Sequence, residues 1–121
     1  MTTLYQITNL IASDGAFTAE ITFNPAHQVF AGHFPGKPIV PGVVLVEISA
    51  AITSLVTSKE LAVKEASVIK FLQVIEPLLN TVVKVEGTIF EETEGHFKAD
   101  LSFTDGQVTF AKLRGIRLKS F

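Results

Sequence analysis

The chain has 121 residues, 47% of them apolar and 18% charged, with a mean hydropathy of +0.40, enough apolar material for one domain over 1–121 and too much for a disordered chain. Ten basic against twelve acidic side chains give a net charge of -2, which excludes a nucleic-acid binder working by bulk positive charge. The absence of cysteine excludes a disulfide framework, a thiolate metal site and a cysteine nucleophile.

The first ten residues, MTTLYQITNL, lack a basic region followed by an apolar core, so a cytoplasmic protein is expected. Residues 4–11 form a weakly patterned strand. Phe17, Ala19, Ile21 and Phe23 alternate with Thr18, Glu20 and Thr22 in a clear half-buried strand. After a loop rich in Gly and Pro comes the most apolar stretch, in which ten of the seventeen residues 42–58 are Val, Leu, Ile or Ala. Pro41 and Glu47 interrupt it and Ser49, Thr53, Ser54 and Thr57 dot it, which argues for a buried helix rather than a membrane span. Pro41-Gly42 punctuates its start and Lys59 lies just past its end. With apolar residues on nearly every side, the helix should be wrapped by other elements.

Strands follow over 61–74, over 82–90 with Val83, Val85 and Ile89, and over Phe97, Ala99, Leu101 and Phe103. From Val108 to Leu118 the alternation slips after Phe110, which predicts a bulge. Asp14-Gly15, Glu94-Gly95 and Asp105-Gly106 are hairpin signals, so pairing should be antiparallel. Six strands and one helix, with the helix between the second and third strands, predict an α+β fold in which one sheet face packs on the helix. The other face is more polar, and its open edges suit a homodimer.

Charge is uneven: residues 1–105 hold six Lys and twelve acids, whereas 106–121 hold Lys112, Arg114, Arg117 and Lys119 with no acid. These are either solvated strand positions or a docking patch for an acidic partner. His27 and His96 form no metal-spaced cluster and read as surface or boundary residues.

The segment Phe30-Ala-Gly-His-Phe-Pro-Gly-Lys-Pro-Ile-Val-Pro-Gly42 holds three prolines and three glycines and should form a shaped loop that presents His33. A lone histidine is ordinarily structural, yet a preset one is what a general base requires. Glu47, the sole ionisable group of the apolar helix, is expected to be buried beside Val43, Val44, Ala50 and Ala51. A carboxyl desolvated in this way stays protonated near neutral pH and can serve as a general acid. No Ser, Thr, Asp or Asn stands at 41, so the N–H groups of Gly42 and Val43 are open to a substrate carbonyl.

The run from His33 through Pro-Gly to Glu47, with the Glu fourteen positions beyond the His, resembles the signature of the hot-dog 3-hydroxyacyl-[acyl-carrier-protein] dehydratases of the FabZ type. The FabA branch has Asp at the helix position, so Glu47 points to the FabZ side. The resemblance implies a hot-dog fold, a long central helix wrapped by a six-stranded antiparallel sheet. It implies dehydration of a 3-hydroxyacyl thioester on acyl carrier protein to the trans-2-enoyl thioester, with no metal or other cofactor. His33 would be the base, Glu47 the acid and Gly42 or Val43 the carbonyl donor, with Phe34 lining the acyl tunnel or sealing the dimer. Family sites lie between two subunits, so a homodimer, a higher homo-oligomer or a heterodimer with another hot-dog dehydratase is implied. Lys37, Arg114, Arg117 and Lys119 would then dock the acidic carrier protein.

Two departures stand out: Ala51 occupies a position usually Gln, and Pro77-Leu78-Leu79 stands where Pro-Gly-Asp is common. They direct the resemblance towards dehydratases of secondary pathways, such as those making aryl polyene lipids, with Ala51 widening the pocket. The alternatives are a hot-dog acyl thioesterase, in which the carboxylate activates water, and a non-catalytic subunit that binds acyl carrier protein.

Overall fold

The computed structural model describes residues 3–31 and 37–121. Its elements are β1 (Tyr5–Ser13), β2 (Ala16–Phe23), a 3-10 turn (Gln28–Ala31), α1 (Gly42–Thr57), β3 (Leu61–Phe71), β4 (Val82–Thr93), β5 (His96–Thr104) and β6 (Thr109–Ser120). The strands form one antiparallel sheet in the order β1-β2-β4-β5-β6-β3, the six-stranded α+β hot-dog layout expected. Because β2 pairs with β4, α1 and β3 are an excursion that leaves the sheet, crosses its face and returns at the far edge beside β6.

The hairpins form where their turn residues require. Asp14 and Gly15 both have positive φ (52° and 82°), the pairing that suits the twist of a two-residue connection between β1 and β2. Asp105 Oδ1 accepts the N–H groups of Val108 (2.7 Å) and Gln107 (2.8 Å), and these bonds hold its carboxyl below its ordinary range.

Two bulges bend β6. Thr109 faces Thr104 and Ala111 faces Phe103, so Phe110 is the extra residue, at the predicted slip. The second, unpredicted, lies at Arg114–Gly115, opposite Asp100. There Gly115 has φ 63°, its N–H donates to Asp100 Oδ1 (2.8 Å), and a β-carbon would stand 2.6 Å from Ser67 Oγ. β1 bulges as well, at Asn9, whose Nδ2 donates to Glu20 Oε1, and this explains its weak alternation.

The core lies between the concave sheet face and α1. Phe17, Ile21, Val83, Val85, Leu101, Phe103, Leu113 and Ile116 from the strands meet Val44, Leu45, Ile48 and Ile52 from the helix, all buried. Each such aliphatic or aromatic side chain gains about 1.5–3 kcal/mol on leaving water. The buried hydroxyls of the helix are satisfied within it: Ser49 Oγ donates to Leu45 O, and Thr53 Oγ1 to Ser49 O, both at 2.8 Å.

The sheet wraps the side of α1 turned towards it, as expected, and leaves a stripe of the helix open. Val43 (74% exposed), Glu47 one turn on and Leu55 two turns beyond that (56% exposed) lie along an open stripe. One sheet face covers only the stripe turned towards it.

Candidate active site

The helix start combines two local rules. Pro41, extended at φ -62° and ψ 142°, precedes the first turn and offers no side-chain acceptor. Val44 N–H donates to the Pro41 carbonyl oxygen (3.0 Å), while Gly42 and Val43 have no capping side chain. Gly42 is half-buried under the ring of Phe71: a β-carbon at position 42 would stand 2.5 Å from Phe71 Cζ. Any larger residue would displace that ring, so glycine is needed here for close approach.

Glu47 follows Val43 by one turn and lies on the open stripe, exposed rather than buried. Desolvation of this carboxylate is therefore not supplied by the chain's own fold, which corrects the burial expected from the helix composition. The carboxylate nevertheless acts on its surroundings. Tyr5, half-buried at the head of β1, has its hydroxyl pushed above the ordinary phenol range, first by burial and second by the negative charge of Glu47. Sequence reasoning missed Tyr5 as a neighbour of this carboxylate, because a pairing across the fold leaves no spacing in the chain.

His33 and Phe34 lie outside the described residues. The segment leading to them is built by turn chemistry: Val29 N–H donates to His27 Nδ1 (3.0 Å) and Phe30 N–H to His27 O (3.1 Å), with Phe30 buried beneath. Ala51 is half-buried one turn beyond Glu47.

A cavity of about 460 Å³ opens beside the helix start, lined by Ile39, Val40, Gly42, Leu45 and residues 71–75. Ala51 is not among its lining residues. Phe71, within the strand expected over 61–74, is the aromatic at its rim, and its contact with Gly42 is a tertiary one that spacing along the chain does not show.

The basic residues expected to dock a partner are differently occupied. Arg117 Nε lies 3.1 Å from Glu65 Oε1 and its Nη1 pairs with Glu92. Arg114 donates through Nη1 to Leu101 O (3.0 Å) and through Nη2 to Ser102 Oγ (3.3 Å), bracing the second β6 bulge. Lys37 is exposed with Nζ 3.8 Å from Glu76, and Lys119 is exposed near the end of β6. Surface ion pairs of this kind are weak, so they reduce rather than abolish the positive charge available.

Comparison with known proteins places these features in a family. A family model described as ApeI-like, ApeI dehydratase, matches residues 9–112. The 3-hydroxyacyl-[acyl-carrier-protein] dehydratase FabZ of a Caulobacter species is 38% identical over 66 residues, covering 54% of this chain and 40% of that protein. FabZ of Dinoroseobacter shibae is 38% identical over 56 residues, covering 46% and 33%. The chain thus spans 33–40% of the length of these two curated relatives. Among solved structures, the dehydratase heterocomplex ApeI:P from Xenorhabdus doucetiae superposes with a TM-score of 0.71 at 16% identity, over 94% of this chain and 96% of that one. A hypothetical thioesterase from Streptococcus pneumoniae, solved with coenzyme A, gives 0.65 at 15% identity over 97% and 85%. Both share the fold. Among the described residues, no helix is long and apolar enough to cross a membrane.

Proposed function

This chain belongs to the ApeI-like dehydratase family, and from that premise we propose that it dehydrates a 3-hydroxyacyl thioester carried on acyl carrier protein to the trans-2-enoyl thioester and water. The observation that carries the reading is the placement of Glu47, the sole ionisable group of α1, one turn from an uncapped helix start on the stripe the chain leaves open.

In this reading the Gly42 or Val43 N–H receives the thioester carbonyl oxygen, where the helix dipole and the donor stabilise the enolate charge. An imidazole nitrogen of His33 takes the C2 proton. As the C2–C3 double bond forms, the C3–O bond breaks and Glu47 gives its proton to the departing hydroxyl, releasing water. His33 is left protonated and Glu47 ionised, and exchange with solvent restores both. Phe34 lies beside the base in sequence and would line the acyl path.

A second hot-dog subunit, a further copy or a related chain, would seat on the Val43–Glu47–Leu55 stripe, desolvate Glu47 and place the His33 of one subunit by the Glu47 of the other. Lys37, Arg114, Arg117 and Lys119 would meet the acidic carrier protein. An aryl-polyene-type lipid pathway and a cytoplasmic setting fit this reading. No metal or redox cofactor enters any step.

The test is intact-mass analysis of a 3-hydroxyacyl carrier protein incubated with wild type, His33→Ala and Glu47→Ala. Loss of one water with wild type alone is expected, each substitution lowering the rate by about 10²–10⁴-fold. Release of free carrier thiol without an enoyl product would instead identify a thioesterase. A lack of change with all three folded proteins would leave a non-catalytic carrier-binding subunit.

A further inference from the structure

We propose that Phe71 is a specificity-determining residue: its ring forms the near wall of the cavity that takes the acyl chain, and so limits the length of chain accepted. The inference rests on the dehydratase reading above.

Phe71 is the last residue of β3, and the next two N–H groups, of Leu72 and Gln73, both donate to Phe110 O (2.8 and 3.1 Å). The backbone is thereby pinned as it leaves the strand, and the ring is held against the start of α1. A β-carbon at Gly42 would lie 2.5 Å from Cζ and 2.9 and 3.0 Å from the two Cε atoms.

The ring is not filling the core. Phe103 and Phe110 are fully enclosed, whereas Phe71 is 58% exposed while touching Gly42. An aromatic ring in contact on one side and open on the other borders a space, here the cavity of about 460 Å³. Its size falls within the range of roughly 300–1,000 Å³ that holds small-molecule ligands. Ile39, Leu45, Leu72, Val74 and Ile75 line it with Phe71, and among the described residues no charged one does. Such a lining suits an apolar chain.

Gly42, at the helix start, is itself part of the cavity lining. A thioester whose carbonyl oxygen is held by the N–H at the helix start therefore has its first acyl carbons beside the Phe71 ring. The length of chain that fits past the ring is then set by Phe71 rather than by Ala51, which lines none of this space.

The experiment compares wild type, Phe71→Ala, Phe71→Leu and Phe71→Trp on 3-hydroxyacyl carrier proteins of increasing chain length, with folding checked by circular dichroism. Phe71→Ala should raise the long-to-short ratio of kcat/KM by about tenfold, with Phe71→Leu between it and wild type and Phe71→Trp shifted the opposite way. Ratios within about twofold of wild type in folded, active variants would overturn the proposal. A second readout does not need turnover. The chain contains no tryptophan, so Phe71→Trp supplies a single indole that can be excited apart from Tyr5, and its emission should shift on titration with a non-hydrolysable 3-hydroxyacyl pantetheine amide. The control is Phe90→Trp, at an exposed position on the outer sheet face, which should not respond. If wild type removes no water from any substrate, the dehydratase reading fails and the emission decides alone: a shift keeps the cavity as an acyl site, and none overturns it.

Discussion

The two sides of α1 come from one composition and meet different fates. Val44, Leu45, Ile48 and Ile52 are sealed against the sheet, while Val43 and Glu47, each one residue before a sealed one, and Leu55, three residues after Ile52, face outwards. The inner side holds the fold. The outer side bears the ionisable group and leaves apolar surface beside it, a combination costly for an isolated surface and useful for one that a partner covers. The lesson is that a helix apolar nearly all round need not be buried by its own chain.

The largest expected difference between the sides is in stability. Ile48→Ala should cost about 2–5 kcal/mol in urea unfolding of dilute protein, whereas Leu55→Ala should stay within about 0.5 kcal/mol. A comparable loss at both positions would mean that the outer stripe is also buried in solution.

A smaller effect sharpens the electrostatic side of the contrast. Tyr5 is the single tyrosine, so tyrosinate absorbance titrates one group. Its raised value comes first from burial and then from Glu47. Glu47→Gln should lower the midpoint towards, but not to, the ordinary phenol value near ~10. With the folded value raised, the stabilising contribution of neutral Tyr5 is complete below the unfolded value and is lost as pH climbs through the folded one. An unmoved midpoint in the variant would separate Tyr5 from the carboxylate.

The smallest effect lies far from the helix, in the β5–β6 turn. Because the Val108 and Gln107 N–H groups favour ionised Asp105, its contribution is present above the unfolded value near ~3.9 and lost as pH falls through the lower folded value. Asp105→Asn should flatten the acid limb of the stability curve slightly, as read by melting temperature against pH.

The sheet was largely legible because alternation and turn residues are local signals. Phe97, Ala99, Leu101 and Phe103 are all buried as their spacing predicts, and the slip after Phe110 is a bulge. The bulge at Gly115 was not legible: its cause is the joint presence of Asp100 and Ser67 from two other strands. At the site, Pro41-Gly42 marked the helix start correctly, while the exposure of Glu47 and the contacts of Arg114 and Arg117 escaped reading. Local sequence records that a residue is charged, and only the fold records what stands opposite.

The sequence by itself determined the strand periodicity, the uncapped helix start and the His33–Glu47 spacing, since each depends on neighbours along the chain. The tertiary structure alone decided which stripe of α1 the sheet covers, that Phe71 rests on Gly42, and that Tyr5 feels the charge of Glu47. Those outcomes depend on elements distant in sequence packing at fixed angles, and a one-dimensional pattern specifies a helix's apolar faces without saying which of them its own sheet will reach.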